Sequence, residues 1–218
     1  MEGAAAERAR MVERQIAGRG IADPAVLDAM RTVPREAFVP PELRHQAYAD
    51  GPLAIGCGQT ISQPYIVALM AEAAGLGPES RVLDIGTGSG YAAAVLSRIA
   101  REVFSVERHA PLAEAARERL ARLGFRNVHV RRADGTRGWP EEAPFEAILC
   151  AAAATAIPED WKRQLSLGGR IVVPVGAVLG PQDLIVVTRT GPEAWTETNL
   201  GAVAFVPLTA GLPPEADR

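Results

Sequence analysis

Only two cysteines, Cys57 and Cys150, and three histidines, His45, His109 and His129, occur among the 218 residues of this chain. The cysteines sit in separate segments with no paired spacing, which excludes a disulfide framework or a thiolate metal site and suits a reducing compartment. The histidines have no partner at catalytic or ligand spacing, so each reads as a surface or structural residue and no metal is expected. Aromatic residues make up 5% of the chain. Trp139, Trp161 and Trp195 stand alone, without the second aromatic that a base-stacking platform needs, and read as packing residues. The formal charge is −3, and no Lys/Arg block with interleaved aromatics occurs, so no nucleic-acid partner is expected. Long apolar runs are missing too: the longest, residues 147–154, falls far short of the roughly 20 residues that span a bilayer. The opening residues Met1-Glu2-Gly3-Ala4-Ala5-Ala6-Glu7-Arg8 mix charge with alanine and lack the apolar centre of a signal peptide. A soluble, cytoplasmic protein without membrane contact is expected, with a monomer as its simplest state.

What the chain has in quantity is apolar surface: 48% of its residues are hydrophobic, enough for one sizeable core. The most informative stretch is Val82-Leu83-Asp84-Ile85-Gly86-Thr87-Gly88-Ser89-Gly90-Tyr91. An apolar run suited to a buried parallel strand breaks into three glycines and then a helical pattern, as a nucleotide-binding turn does. Glu107 follows about 20 residues on, where a ribose-binding acid belongs. A dinucleotide fingerprint would place glycine where Tyr91 stands, to seat a pyrophosphate. The spacing therefore favours a nucleoside without one, and S-adenosylmethionine is the common example. The competing reading is a tight strand-to-helix turn with no ligand.

Helical pattern runs over residues 7–17, and Asp23-Pro24 opens a second helix as N-cap and first residue. Pro34, Pro40, Pro41 and Pro52 then give an irregular segment too apolar for a free linker, which is expected to cap the site. Pro64 opens a helix to about residue 74. Beyond it strands at 81–85, 102–106, 128–131 and 145–150 alternate with helices at 91–100 and 110–123. This rhythm predicts an α/β, doubly wound, mainly parallel Rossmann-like sheet. A helix near 159–165 and strands at 170–175, 183–188 and about 195–205 complete it. The last strands are joined by Gly180-Pro181 and Gly191-Pro192 turns, which suits an antiparallel end. The expected organisation is a helical cap with the active-site segment over 1–75, packed on a core over 76–218, as one compact catalytic domain.

Several strings resemble the protein-L-isoaspartate (D-aspartate) O-methyltransferase family over most of the chain. They are Val33-Pro34-Arg35-Glu36-Ala37-Phe38-Val39-Pro40, Ala47-Tyr48-Ala49-Asp50-Gly51-Pro52-Leu53 and, most specifically, Gly58-Gln59-Thr60-Ile61-Ser62-Gln63-Pro64. The glycine loop, Ala133-Asp134-Gly135, Gly168-Gly169-Arg170-Ile171-Val172-Val173-Pro174-Val175-Gly176 and Phe205-Val206-Pro207-Leu208-Thr209 follow in the expected order. The resemblance implies a fold of the S-adenosylmethionine-dependent methyltransferase type, with antiparallel C-terminal strands. It implies that Ser62 is the active-site hydroxyl, with Gln59, Thr60 and Ile61 lining the cofactor beside it. Gly86, Thr87, Gly88, Ser89 and Gly90 would form the cofactor loop, with Asp84 orienting it or reaching the cofactor's amino group through water, Glu107 at the ribose, Arg108 also binding the cofactor, Asp134 and Gly135 at the adenine, and Thr209 closing that side. Asp50, Leu53 and Ile55, with Pro174, Val175 and Gly176, would shape the peptide groove.

The implied reaction moves a methyl group from S-adenosylmethionine to the α-carboxylate of an isoaspartyl residue in a damaged peptide or protein, leaving S-adenosylhomocysteine. D-aspartyl residues are a further expected substrate. A carboxylate with a pKa near 4 is already ionised at pH 7, so no general base is needed, which accounts for a site without a catalytic histidine. The alternative reading of Ser62 is an N-cap for the helix opening at Pro64. The alternative functions are a carboxyl methyltransferase dedicated to one peptide or small molecule, a nucleic-acid methyltransferase, and a module that binds without turnover. The run Cys150-Ala151-Ala152-Ala153-Ala154 argues against base methylation, because a polar aromatic clamp belongs there.

Overall fold

Helix α1 (Glu2–Met11) passes into a π turn (Val12–Ile16) and a 3-10 turn (Ala17–Arg19), so the single helix expected over 7–17 is longer at its start and irregular at its end. The alanines of its first turn favour the early start, while Gly18 and Gly20 weaken the end. Helix α2 (Pro24–Thr32) begins as the sequence indicates, with Asp23 Oδ1 accepting the N–H groups of Ala25 and Val26 at 2.8 and 3.2 Å. The structure, a computed structural model, describes residues 2–177 and 180–213, so the expected end of the core at 214–218 lies outside the described residues.

The irregular segment after α2 is held from within by Arg35. Its side chain is fully buried, its Nε donates to the Ala47 carbonyl at 2.8 Å, and one Nη donates to Gly51 at 3.4 Å. Its guanidinium also lies 4.9 Å from the centre of the Tyr91 ring, at the start of the helix that follows the glycine loop. Nearby, Tyr48 donates to Glu36, and Arg8 donates to the Tyr48 hydroxyl at 3.2 Å. Replacing Arg35 by Leu strands two carbonyls, at about 1–3 kcal/mol for each buried group left unpaired, offset in part by relief of a buried charge. We expect Arg35→Leu to lower the melting temperature by roughly 5 °C or more in calorimetry; an unchanged melting temperature would show that the cap does not depend on this clasp.

A hairpin of strands β1 (Leu53–Gly56) and β2 (Gln59–Ile61) closes the cap segment, which the sequence indicated only as irregular. Helix α3 (Pro64–Ala74) leads from it to the main sheet. There β3 (Arg81–Ile85), α4 (Tyr91–Leu96), β4 (Glu102–Glu107), α5 (Ala110–Arg122), β5 (Val128–Arg132) and β6 (Phe145–Cys150) alternate as expected. Helix α4 stops short of residue 100, and the Ser97 hydroxyl donates to the Ala94 carbonyl at 2.8 Å, competing with the helical ladder. Helix α6 (Glu159–Gln164) leads into a long β7 (Leu165–Gly176), and β8 (Gln182–Arg189) and β9 (Trp195–Val203) finish the fold.

The seven main strands lie in the order β5-β4-β3-β6-β7-β8-β9, with β5 to β7 parallel and β8 and β9 antiparallel. Each central strand is apolar on both faces. In β3, Val82 packs into one cluster with α2, α3 and α4, while Leu83 and Ile85 pack into another with Trp161 and Phe145. The strand order reverses at β3, where β4 lies on one side and β6 on the other. A crevice opens at such a switch point, at the carboxyl ends of the strands. Among the described residues no helix is long and apolar enough to cross a membrane.

Candidate active site

The glycine loop leaves β3 at this crevice. Backbone N–H groups of Gly86 and Thr87 reach the Val106 carbonyl of β4 at 2.8 and 3.2 Å, so the loop starts as an extension of the sheet. Gly90 ends it with φ of 89°, a conformation that favours glycine, and a Cβ there would stand 3.2 Å from Leu120 of α5. The loop's centre hangs on a buried polar chain. Ser105 donates to Asp84 Oδ2 at 2.6 Å, and the Thr87 and Ser105 hydroxyl oxygens lie 2.6 Å apart. Burial pushes the Asp84 carboxyl up to about 6; the Ser105 hydrogen bond opposes this and the Glu107 charge adds to it.

Glu107, at the end of β4, is 5% exposed and binds the loop from the far side. Its Oε2 accepts the Gly88 N–H at 2.9 Å, and its Oε1 accepts the His109 N–H at 2.9 Å. Each carboxylate oxygen keeps further lone pairs for a ligand hydroxyl. Gly135 supplies a wall from beyond β5, so close that a Cβ would stand 2.6 Å from Ile85 Cγ2. Trp161 holds it there, its indole N–H donating to the Gly135 carbonyl at 2.9 Å, a contact that its reading as plain packing missed.

A cavity lies between these groups. Of the residues the sequence nominates for the cofactor, Gln59, Thr60, Gly86, Gly88, Glu107, Arg108, Gly135 and Thr209 line it. Ile61, Asp84, Thr87 and Ser89 are buried behind it, and Gly90 packs on α5. Asp134 stands aside: its Oδ1 accepts from the Thr136 N–H and hydroxyl at 2.9 and 2.7 Å, and its Oδ2 from the Gly211 N–H at 2.7 Å. Burial acts to raise its carboxyl, but the bonds from Gly211 and Thr136 hold it below the usual range. Ala151 and the tail at Val206, Pro207 and Leu208 complete the walls. The tail is fastened by Ala153 N–H to the Val206 carbonyl and Leu208 N–H to the Ala153 carbonyl, both 2.8 Å. Sequence spacing carries no sign of this strap, since it sits about 50 residues from its partner.

A second, open groove adjoins the cavity, and Thr60, Ala151, Val206 and Pro207 are walls of both. Ser62 lines the groove, half-buried, and its hydroxyl has no hydrogen-bond partner among the described residues. The residue in the N-cap position of α3 is Gln63, with no side-chain cap bond, so the capping alternative for Ser62 does not apply. The other nominated groove residues are scattered. Asp50 stands beside the rim, paired with Arg19 at 3.3 Å and accepting from Gln63 at 2.7 Å. Leu53 packs on the core, and Ile55 touches the glycine loop, its Cδ1 3.1 Å from where a Gly88 Cβ would stand. Pro174, Val175 and Gly176 line neither space; they pair with β8 and, through Pro174 and Gly176, with Ala154. The groove's far side is Leu200 to Phe205, a stretch of β9 and its continuation of which the motifs single out only Phe205. Cys150, next to Ala151, is no nucleophile at neutral pH, because burial pushes its thiol up to about 12.

The donor set fits a nucleoside with a cationic amino-acid arm. A carboxylate with spare lone pairs can hold ribose hydroxyls, the apolar walls of Ile85, Val106 and Leu208 can hold a planar base, and the negative Asp84 lies just behind the loop.

The profile of a family described as Protein-L-isoaspartate(D-aspartate) O-methyltransferase matches residues 6–212. A protein-L-isoaspartate O-methyltransferase of Methylorubrum populi is 59% identical over 207 residues, covering 95% of this chain and 97% of that protein. One from a Synechococcus strain is 53% identical, over 94% of this chain and 86% of its own. Among solved structures, a protein-L-isoaspartate O-methyltransferase superposes with a TM-score of 0.84 at 30% identity, over 94% of this chain and 67% of that one. A Plasmodium falciparum protein crystallised in complex with S-adenosyl-L-homocysteine superposes at 0.80 with 26% identity, over 93% and 98%.

Proposed function

This chain belongs to the protein-L-isoaspartate (D-aspartate) O-methyltransferase family, and we propose that its two adjoining spaces divide the labour of that reaction. The protein methylates the free α-carboxylate of L-isoaspartyl residues in damaged peptides and proteins, with S-adenosylmethionine as donor. The observation that carries the division is the unengaged Ser62 hydroxyl, in a groove that meets the nucleoside cavity across Thr60 and Ala151.

Bound S-adenosylmethionine supplies a methyl group on a sulfonium, an electrophile that needs no activation. Glu107 would accept from the ribose hydroxyls, Gly135 and Leu208 would flank the adenine, and Arg108 and Thr209 line the same cavity. Ser62 donates to one oxygen of the substrate carboxylate and leaves the other free to attack. As the O–CH3 bond forms, the C–S bond breaks and its electron pair goes to sulfur, so opposite charges are neutralised. That step is favoured where water is excluded, and a peptide seated against the apolar walls of Ile66, Leu69 and Phe205 would exclude it. Orientation supplies the rest, up to roughly 7–11 kcal/mol in the best intramolecular cases. The ester then loses its alkoxide to backbone nitrogen attack, giving a succinimide whose hydrolysis restores some normal aspartate. A cytoplasmic location, a monomeric state and a cap over 1–75 that acts as one unit with the core complete the proposal. A carboxyl methyltransferase dedicated to one peptide or small molecule is not favoured by the relatives.

The test is methyl transfer from labelled S-adenosylmethionine to two synthetic peptides that differ only in one isoaspartyl or aspartyl linkage. Labelling of the isoaspartyl peptide alone is expected. Equal labelling of both, or of neither, would overturn the reading.

A further inference from the structure

The groove carries one charged side chain among its described lining residues, Arg19, and nothing in the mechanism above uses it. Its guanidinium carbon stands 3.5 Å from the centre of the Tyr65 ring. One Nη lies 3.3 Å from Asp50 Oδ2, and the other Asp50 oxygen accepts from Gln63, the neighbour of Ser62. The ring sets the plane of the guanidinium and the carboxylate sets one edge, so its position is determined beside the reacting segment. A guanidinium has five N–H donors; Asp50 takes one of them, and the Arg19 side chain is still 42% exposed. Asp50 stands beside the rim and takes one edge of the guanidinium, so a peptide in the groove meets the edge that is left.

We propose that Arg19 is a specificity-determining residue that reads a carboxylate side chain on the peptide next to the isoaspartyl residue. The proposal rests on the methylation reading above. The remaining walls are uncharged, Tyr65, Ile66, Leu69 and the 200–206 stretch among them, and are indifferent to the charge of a flanking side chain. Arg19 makes the groove favour a flanking Asp or Glu and disfavour a flanking Lys or Arg. A planar guanidinium stacked on a ring suits this better than an ammonium, because its free edge matches a carboxylate.

Three isoaspartyl peptides, identical except for Glu, Gln or Lys at the position flanking the isoaspartyl residue, test this with wild type, Arg19→Gln and Arg19→Lys. Each flanking position is varied in turn. In the wild type kcat/KM should fall from Glu to Gln to Lys by about three- to fivefold per step, the size of a half-exposed ion pair. The change should lie in KM, and 0.5 M salt should narrow it by screening. Arg19→Gln should flatten the series, and Arg19→Lys should keep part of the Glu preference. A wild-type series with no spread, or a spread that survives Arg19→Gln, would overturn the proposal. Turnover of the Gln peptide by wild type reports on the methylation reading separately, so the two can fail independently.

Discussion

Ser62→Ala is expected to lower kcat/KM for an isoaspartyl peptide about 10- to 100-fold, and to leave affinity for S-adenosylhomocysteine within about twofold of wild type. The size follows from the loss of one hydrogen bond to a charged group, worth about 1.5–3 kcal/mol. The split follows from placement. Ser62 lines the groove and not the nucleoside cavity, while its neighbour Thr60 lines both. Stability provides a control, because the hydroxyl has no partner among the described residues. The melting temperature should therefore stay put, whereas loss of a helix cap would cost about 1 kcal/mol. Turnover kinetics, calorimetric titration with S-adenosylhomocysteine and a thermal scan of the same variant decide the matter. Retained turnover would remove Ser62 from the mechanism, and weakened nucleoside binding would mean that the two spaces are not separate.

Asp84→Asn should make the free protein more stable and the complex weaker. The carboxyl titrates at about 6 in the fold, against 3.8 for its ordinary value, because burial penalises its charged form. Below the ordinary value both folded and unfolded states hold the proton and nothing is lost. As pH rises through 3.8 towards 6 the unfolded chain ionises first, and stability declines; above 6 the loss is constant, on the order of 3 kcal/mol. Asn keeps an acceptor for the Ser105 hydroxyl and carries no charge, so at pH 8 the variant should gain about 2 kcal/mol in denaturant unfolding. The same charge favours a bound cation. Cofactor affinity in the wild type should weaken as pH falls below about 6, by at most tenfold per pH unit, because binding must then expel a proton from Asp84. In Asp84→Asn the affinity should be lower at pH 8 and flat with pH. A wild-type affinity that does not change between pH 5 and 8 would sever Asp84 from the cofactor.

Much of the fold was legible because buried parallel strands announce themselves locally. Val82-Leu83 before the glycines and Ala147-Ile148-Leu149 before Cys150 are apolar runs ended by small residues, and each was bounded within a residue or two of its strand. Glu107 was legible for a related reason, since one strand-helix-strand unit fixes the distance from the loop to the end of the next strand. The β1–β2 hairpin was not. Four and three residues give too little periodicity, the pairing contains a register shift, and its turn runs through Cys57 at a φ of 51°, a residue without a turn signature. Arg35 looked like one more charged residue in a motif, and only its packing shows it buried against carbonyls of the cap.

By itself the sequence determined the alternation of strands and helices, the glycine turn and the acid that faces it. All of these rest on interactions within about 25 residues of chain, where backbone preference and apolar period act directly. Tertiary structure alone decided that Thr60, Ala151 and Val206 become common walls of two spaces and that Arg19 reaches the groove. Those outcomes depend on strand order and on which face each strand buries. They are set by packing between residues far apart in the chain, whose meeting leaves no periodic trace along it.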